Sequence, residues 1–79
     1  YQTLRAAGEQ LAAGSDDFAV IEDQGSDALD AAGLRCDYFS VRRAADLQPA
    51  QPGECQLRIL AAAYLGRARL IDNIGIDRD

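Results

Sequence analysis

Apolar residues near the start of the chain recur with the period of a helix. They stand at the i, i+3, i+4 and i+7 spacing that places side chains on one face of an amphipathic helix. This stripe consists of Leu4, Ala7, Gly8 and Leu11. We therefore predict a first helix over about residues 1–13, ended by Gly14.

A second apolar stripe predicts a helix over about residues 17–32. Its members are Phe18, Ile21, Gly25, Ala28, Leu29 and Ala32, whereas Glu22, Asp23, Asp27 and Asp30 lie off the stripe. Ser15, Asp16 and Asp17 precede the stripe and offer oxygen atoms for an N-cap. Gly25 costs about 1 kcal/mol relative to alanine inside a helix. A break at Gly25 is one explanation, and close packing against a neighbouring element is the one we favour.

The hydrophobic period then changes from that of a helix to that of a strand. In residues 35–43, Phe39 and Val41 fall on one face and Cys36 and Tyr38 on the other. Such alternation predicts a first β-strand.

Two further strands follow a loop. Residues 44–54 hold two prolines and a glycine, which favour a loop over a regular element. Residues 56–65 are apolar on both faces, which is typical of a central strand. Gly66 and Arg67 then suit a two-residue hairpin turn, because glycine tolerates positive φ at its first central position. The last strand is predicted over about residues 68–76.

These elements predict one α+β domain in two layers, a three-stranded antiparallel sheet with both helices packed on one face. The alanines of the middle strand would allow a helix to approach closely. The other face, bearing Arg58 and Tyr64 and with Arg69 as a further candidate, is left for a partner domain or a ligand.

Composition restricts the possible functions of the domain. The 79 residues carry a net charge of −5. The charge is uneven, since residues 1–34 have seven acids against one arginine and residues 35–79 have six acids against seven arginines. A chain without a generally basic surface is not expected to bind nucleic acid. No apolar run approaches the ~20 residues of a membrane span, and no secretory leader is recognisable, so we expect a cytoplasmic protein without a membrane partner.

The chain contains no histidine, and we assign it no catalytic residue and no metal site. Cys36 and Cys55 lack metal-binding spacing. We predict two free thiols, with a disulfide as the alternative.

The Asp72-Asn73 pair is unusual because strands are depleted in both residue types. The structural explanation, which we favour, is that one side chain hydrogen-bonds to nearby loop or helix backbone, because an unpaired buried polar group costs about 1–3 kcal/mol. The functional alternative is contact with a ligand.

Arginines at the ends of two strands are candidates for binding phosphate or carboxylate groups. These arginines are Arg42, Arg43, Arg67 and Arg69. Pairing with the chain's own acids, or solvation, is the simpler expectation for all four. The functional alternative is contact with nucleotide phosphates when the domain closes over a neighbouring active site.

Other chemistry-bearing side chains are expected to be structural. The adjacent acids Asp16-Asp17 and Glu22-Asp23 do not converge across a cleft as catalytic carboxylates must. Tyr38, Phe39 and Tyr64 are expected to fill a core.

Three segments resemble the C-terminal domain of the pantothenate synthetases, the pantoate–β-alanine ligases. They are Leu4-Arg-Ala-Ala, Asp37-Tyr-Phe-Ser-Val-Arg and the most specific one, Arg69-Leu-Ile-Asp-Asn73, which ends the hairpin. The resemblance implies a lid domain, with the Rossmann-like N-terminal catalytic domain absent from these 79 residues. It also implies a homodimer that forms through that other domain.

The resemblance implies a function for the full-length protein. Members of the family condense pantoate with β-alanine in coenzyme A biosynthesis, using ATP and Mg²⁺ through a pantoyl adenylate. Their histidine motif and Ser-Ser-Arg-Asn hinge have no counterpart here, so this chain alone should not catalyse and should bind no cofactor. Among the four strand-end arginines, Arg67 and Arg69 are our candidates for contact with the phosphates of ATP, and this choice rests on their place at the hairpin. The alternative is a free-standing interaction or regulatory module.

Overall fold

The computed structural model describes residues 2–78, and it has the predicted α+β architecture. The helices are α1, Gln2–Ala12, and α2, Phe18–Ala31. The strands are β1, Arg35–Arg43; β2, Gln56–Leu65; and β3, Ala68–Asp77. All five elements were predicted to within about two residues, except that the predicted start of α1 at residue 1 lies outside the described residues. Neither helix has the length and apolarity that a membrane crossing needs.

The sheet is antiparallel in the order β1-β2-β3, so β2 is central as its two apolar faces predicted. Leu65 pairs with Ala68 across the hairpin, which leaves Gly66 and Arg67 as the two loop residues. Gly66 has a φ of 61°. Glycine reaches this left-handed conformation without the steric cost that a Cβ atom adds, so the predicted turn is confirmed.

The core lies between the helices and one face of the sheet. Its largest fully buried side chains are Leu11, Ile21, Leu57 and Ile59. Gly25 of α2 packs directly on Phe39 of β1, and a Cβ atom at residue 25 would overlap the Phe39 ring. Close packing, not a break in the helix, therefore explains this glycine.

The outer edge of β1 is covered by side chains and by the β1–β2 loop. Glu22 Oε2 accepts a hydrogen bond from Val41 N at 2.8 Å, and Asp30 Oδ1 accepts one from Cys36 N at 3.1 Å. The backbone oxygen of Gln48 accepts one from Arg43 N at 2.9 Å. Covering an edge strand in this way protects it from pairing with other chains.

Arg78 joins three parts of the chain that are distant in sequence. Its guanidinium donates to the backbone oxygens of Leu11 at 3.2 Å, Ser15 at 2.7 Å and Glu54 at 2.8 Å, and to the carboxylate of Asp16. The Arg78 side chain is only 5% exposed. Leu11 O, in the last turn of α1, also accepts a hydrogen bond from Gly14 N at 2.9 Å, so Arg78 adds a second donor there.

The expected N-cap of α2 is not formed by a side chain. The N-cap residue, Asp17, makes no side-chain capping bond. Asp16 turns instead to Arg78 and accepts a hydrogen bond from Gly53 N at 3.4 Å. The tertiary contact with a buried arginine thus replaces the local cap.

Candidate functional site

The helix-free face of the sheet carries the arginines and tyrosines that could meet a ligand or a partner. The strand register aligns its residues in four cross-strand rows. The rows are Arg35-Tyr64-Arg69, Tyr38-Ala62-Ile71, Ser40-Leu60-Asn73 and Arg42-Arg58-Gly75. Directly opposed residues of antiparallel strands share a face, so four of the chain's eight arginines lie on this side.

The row nearest the β2–β3 hairpin forms a compact cationic and aromatic cluster. The guanidinium of Arg35 lies 4.8 Å from the centroid of the Tyr64 ring, and that of Arg69 lies 5.9 Å from the Tyr38 centroid. Both distances are within the range of cation–π attraction. Tyr38 and Tyr64 do not fill the core, contrary to the expectation, whereas Phe39 is buried. Tyr38 is 37% exposed, and Tyr64 is half-buried on the helix-free face, where the pattern of β2 placed it.

Arg69, one of the two predicted phosphate contacts, is held by an acid of the same chain. Its Nη2 lies 2.8 Å from Asp37 Oδ2. The hydrogen bond to Asp37 raises the pKa of Arg69 above its ordinary value. Asp37 falls at the irregularity between Cys36 and Tyr38 in the β1–β2 register. A guanidinium has five N–H donors, so the pair leaves Arg69 able to donate to a second anion.

Arg67, the other predicted contact, lies exposed in the hairpin turn. No ion pair of Arg67 or Arg35 occurs within residues 2–78. The hairpin end therefore presents three arginines against the single carboxylate of Asp37. This excess of positive charge is the feature that suits an anionic ligand.

The arginines at the far end of β1 differ from each other. Nε of Arg43 lies 3.0 Å from Glu54 Oε1 and 3.6 Å from Asp46 Oδ1, which are ion pairs, although neither contact has hydrogen-bond geometry. Pairing with the chain's own acids was the expected outcome for Arg43. Arg42 is half-buried in the last row of the open face.

Asp72 and Asn73 are exposed, contrary to the burial that the structural explanation assumed. Asp72 Oδ1 accepts a hydrogen bond from the backbone N of Asn73 at 2.8 Å, and Asn73 Oδ1 accepts one from Arg58 Nη1 at 2.6 Å. Neither side chain bonds to a loop or a helix in these contacts. Because β3 is an edge strand, water solvates both side chains and no buried partner is needed.

The remaining candidate groups do not assemble into a chemical centre. Residues 2–78 contain no group of three His, Cys, Asp or Glu side chains that could hold a metal. Cys36 and Cys55 are both free thiols, as predicted. Asp16 bonds to Arg78 and Glu22 bonds to β1, so both acids hold parts of the fold together.

Three residues that make important contacts in the structure were not identified from the sequence. Arg78 lies beyond the last periodic residue, Glu22 was placed off the apolar stripe, and Arg35 was included in the first predicted strand without a functional role. In the sequence, only the position of Glu22 gave an indication of its role. Glu22 follows Ile21 at the margin of the stripe, where a long side chain can reach an adjacent strand.

Known proteins similar to this chain support one assignment. The family model described as pantoate-beta-alanine ligase matches residues 1–75. The pantothenate synthetase of Pseudomonas aeruginosa strain UCBPP-PA14 is 49% identical over 79 residues, which are 100% of this chain and 28% of the relative. That of Azotobacter vinelandii is 49% identical over 77 residues, or 98% of this chain and 27% of the relative.

A solved structure agrees with this assignment. The crystal structure of pantothenate synthetase from Thermus thermophilus has a TM-score of 0.78 and 31% identity, covering 94% of this chain and 27% of that one. The chain thus spans little more than a quarter of the length of these relatives.

Proposed function

The chain belongs to the pantoate–β-alanine ligase family, and from that membership we propose that it is the C-terminal lid domain of a pantothenate synthetase. In this proposal the full-length enzyme uses ATP to condense pantoate with β-alanine, through a pantoyl adenylate, in the cytoplasm. A Rossmann-like domain preceding this one carries the chemistry and forms the homodimer.

One observation supports the lid role above the others. The whole chain aligns with only 28% of a pantothenate synthetase, and it contains no histidine. Residues 2–78 hold no group of three His, Cys, Asp or Glu side chains that could bind a metal ion. Groups that activate a substrate would therefore come from outside this domain. A lid contributes to rate by excluding water and by completing the charge environment when it closes.

Within this role, Arg67 and Arg69 are the side chains we assign to the phosphate side of ATP. They lie at the hairpin end of the sheet, where three arginines face one carboxylate. Arg69 is oriented by Asp37 and Tyr38, so its guanidinium is ordered before any ligand arrives. The described residues do not fit a Mg²⁺ site, so this domain has no assigned metal ligand.

The test is AMP release that depends on pantoate and β-alanine. We compare the full-length protein with a form ending just before residue 1. We expect AMP release from the full-length protein and its loss in the truncated form. AMP release that survives truncation would leave the ligase intact but remove the lid role, and a folded full-length protein without AMP release would contradict the proposed function.

A further inference from the structure

Arg35 is an exposed arginine that is held in place without being neutralised. Its guanidinium lies 4.8 Å from the centroid of the Tyr64 ring, at a distance that allows cation–π attraction. It forms no ion pair within residues 2–78. An aromatic ring attracts a cation through its quadrupole and carries no net charge. The positive charge and the N–H donors of Arg35 therefore stay available to an anion.

Arg69 reaches the same part of the open face from the other side of the sheet. Arg35 and Arg69 are the two ends of a cross-strand row in which Tyr64 is the middle residue. Because neighbouring strands lie about 4.8 Å apart, the backbones of these two arginines are separated by about 10 Å. The Arg69 side chain crosses β2 to pair with Asp37 of β1 at 2.8 Å. Both guanidiniums thus lie over the interior of the sheet and not at its outer edges.

An extra residue in β1 helps to hold the Arg69 guanidinium there. The register with β2 shifts between Cys36 and Tyr38, and the extra residue of β1 is Asp37. A bulge of this kind bends the strand and changes the direction of its side chains. Neighbours in a regular strand point to opposite faces, but here Asp37 and Tyr38 both contact Arg69. The fold therefore positions the Arg69 guanidinium from two sides.

The charges at the hairpin end of the open face do not balance. The guanidiniums of Arg35, Arg67 and Arg69 carry three positive charges and the carboxylate of Asp37 carries one negative charge, which leaves an excess of two positive charges. The next acid along β3, Asp72, belongs to the helix side by its strand position. Since like charges held close together repel each other, this end of the face favours an anion with at least two negative charges.

The components of the proposed reaction differ in how well they fit this requirement. β-Alanine carries an ammonium group, which arginines repel, and pantoate has one carboxylate, which a single guanidinium can satisfy with two hydrogen bonds. The phosphate of the adenylate carries one charge. The β- and γ-phosphates of ATP, which leave as diphosphate, carry several charges on two adjacent groups. Two guanidiniums therefore match two phosphate groups.

We propose that Arg35 and Arg69 bind the diphosphate that leaves ATP, with Tyr64 as the residue that positions Arg35. When the pantoate carboxylate oxygen bonds to the α-phosphorus, the bond from that phosphorus to the bridging oxygen breaks and its electron pair leaves with the diphosphate. The two guanidiniums stabilise this charge. The inference rests on the proposed function and adds to it Arg35 and the identity of the bound group.

The test is the binding of inorganic diphosphate to the full-length protein, measured by isothermal titration calorimetry. Mg²⁺ is kept in excess and the ionic strength constant, because salt screens exposed charges. Arg35→Ala should weaken diphosphate binding by about three- to tenfold, the effect of losing one exposed charged contact. AMP is the matched ligand, and its affinity should not change. Arg5→Ala removes the same charge from the exposed surface of α1 and should change neither affinity.

Two kinds of outcome would overturn the proposal. One is diphosphate binding that is absent in the wild type or equally strong in Arg35→Ala. The other is an equal loss of affinity for diphosphate and AMP, or an equal loss in Arg35→Ala and Arg5→Ala. Either result, together with AMP release that depends on pantoate and β-alanine, would uphold the ligase and remove the diphosphate site. The expected loss of diphosphate binding without any AMP release by the wild type would overturn the ligase and leave the anion site in place.

Discussion

At the scale of single residues, the Arg78 side chain links parts of the fold that are distant in the sequence. It is buried and bonded to three backbone oxygens and one carboxylate from segments far apart in the chain. Its guanidinium also lies 5.8 Å from the centroid of the Phe18 ring. A single residue just after β3 thereby holds together the end of α1, the α1–α2 connection and the β1–β2 loop.

We predict that Arg78→Ala lowers the free energy of unfolding by roughly 2–4 kcal/mol, because it removes the side-chain donor from the part-buried carbonyl oxygens of Ser15 and Glu54. Urea denaturation measures this change. The control is Arg5→Ala, since Arg5 pairs with Glu9 at 3.7 Å on the exposed surface of α1. Exposed pairs contribute about 0.5 kcal/mol. Similar losses in both variants would contradict the role given to Arg78.

Asp16 should make the stability of the domain depend on pH. The hydrogen bond from Arg78, with a smaller contribution from Gly53 N, lowers the pKa of Asp16 below its ordinary value. A carboxyl group whose pKa is lower in the folded protein than in the unfolded chain stabilises the folded protein. This contribution is fully present at pH values above the unfolded pKa, which is near 4, and it is lost as the pH falls through the pKa of the folded protein.

Asp16→Asn should therefore flatten the decline in stability below about pH 4 while lowering stability near neutral pH. Urea unfolding midpoints measured from neutral pH down to about pH 2 would show both the flatter decline and the lower stability near neutral pH. The control is Asp27→Asn, an exposed acid on α2. A decline below pH 4 that is as steep in Asp16→Asn as in the wild type would refute the assignment.

At the scale of elements, the contact between α2 and β1 depends on the absence of a side chain. The Phe39 ring occupies the space that a Cβ atom at residue 25 would need. The intrinsic helix penalty of glycine, about 1 kcal/mol relative to alanine, is offset here by burial of Phe39, which is only 6% exposed.

We predict that Gly25→Ala destabilises the domain by about 1–3 kcal/mol despite the better helix propensity of alanine, because the overlap forces α2 away from β1. Thermal unfolding measures the loss, and Asp27→Ala on the exposed side of α2 is the control. Phe39→Leu in the Gly25→Ala background should cost less than the sum of the two single changes. Strict additivity would show that the two residues do not interfere.

At the scale of the whole molecule, positive charge and apolar surface lie in different places. The arginines gather on the helix-free face, most densely at the hairpin, whereas an apolar recess that Leu4, Leu34 and Leu70 help to line lies on the helix side. In the proposed enzyme the arginine-bearing surface meets the nucleotide.

The hairpin arginines are tested in the full-length enzyme. We predict that Arg67→Ala and Arg69→Ala each raise the KM for ATP by roughly three- to tenfold, the effect of removing an exposed charge contact. The KM for β-alanine should be unchanged, and Arg5→Ala should alter neither constant. An ATP KM that stays at the wild-type value in both variants would remove these residues from the phosphate site.

The sequence by itself determined the five elements, the central position of β2, the hairpin turn and the family. Helical and strand periods, helix-ending glycines and a glycine turn act between residues that are neighbours in the chain, so they are readable without coordinates. The close packing of Gly25 was also predictable, because an interior glycine needs a reason.

Only the tertiary structure decided which side chains meet across long separations. Arg78 reaches carbonyls 63 and 67 residues away, and Arg69 reaches an acid 32 residues away. Asp72 and Asn73 are exposed because β3 lies at an edge of the sheet. The strand register brings the arginines and tyrosines of the open face together, and the position of α1 over the sheet leaves an apolar recess between α1 and β3. Such contacts depend on how elements are placed in space, and periodicity along the chain does not specify that placement.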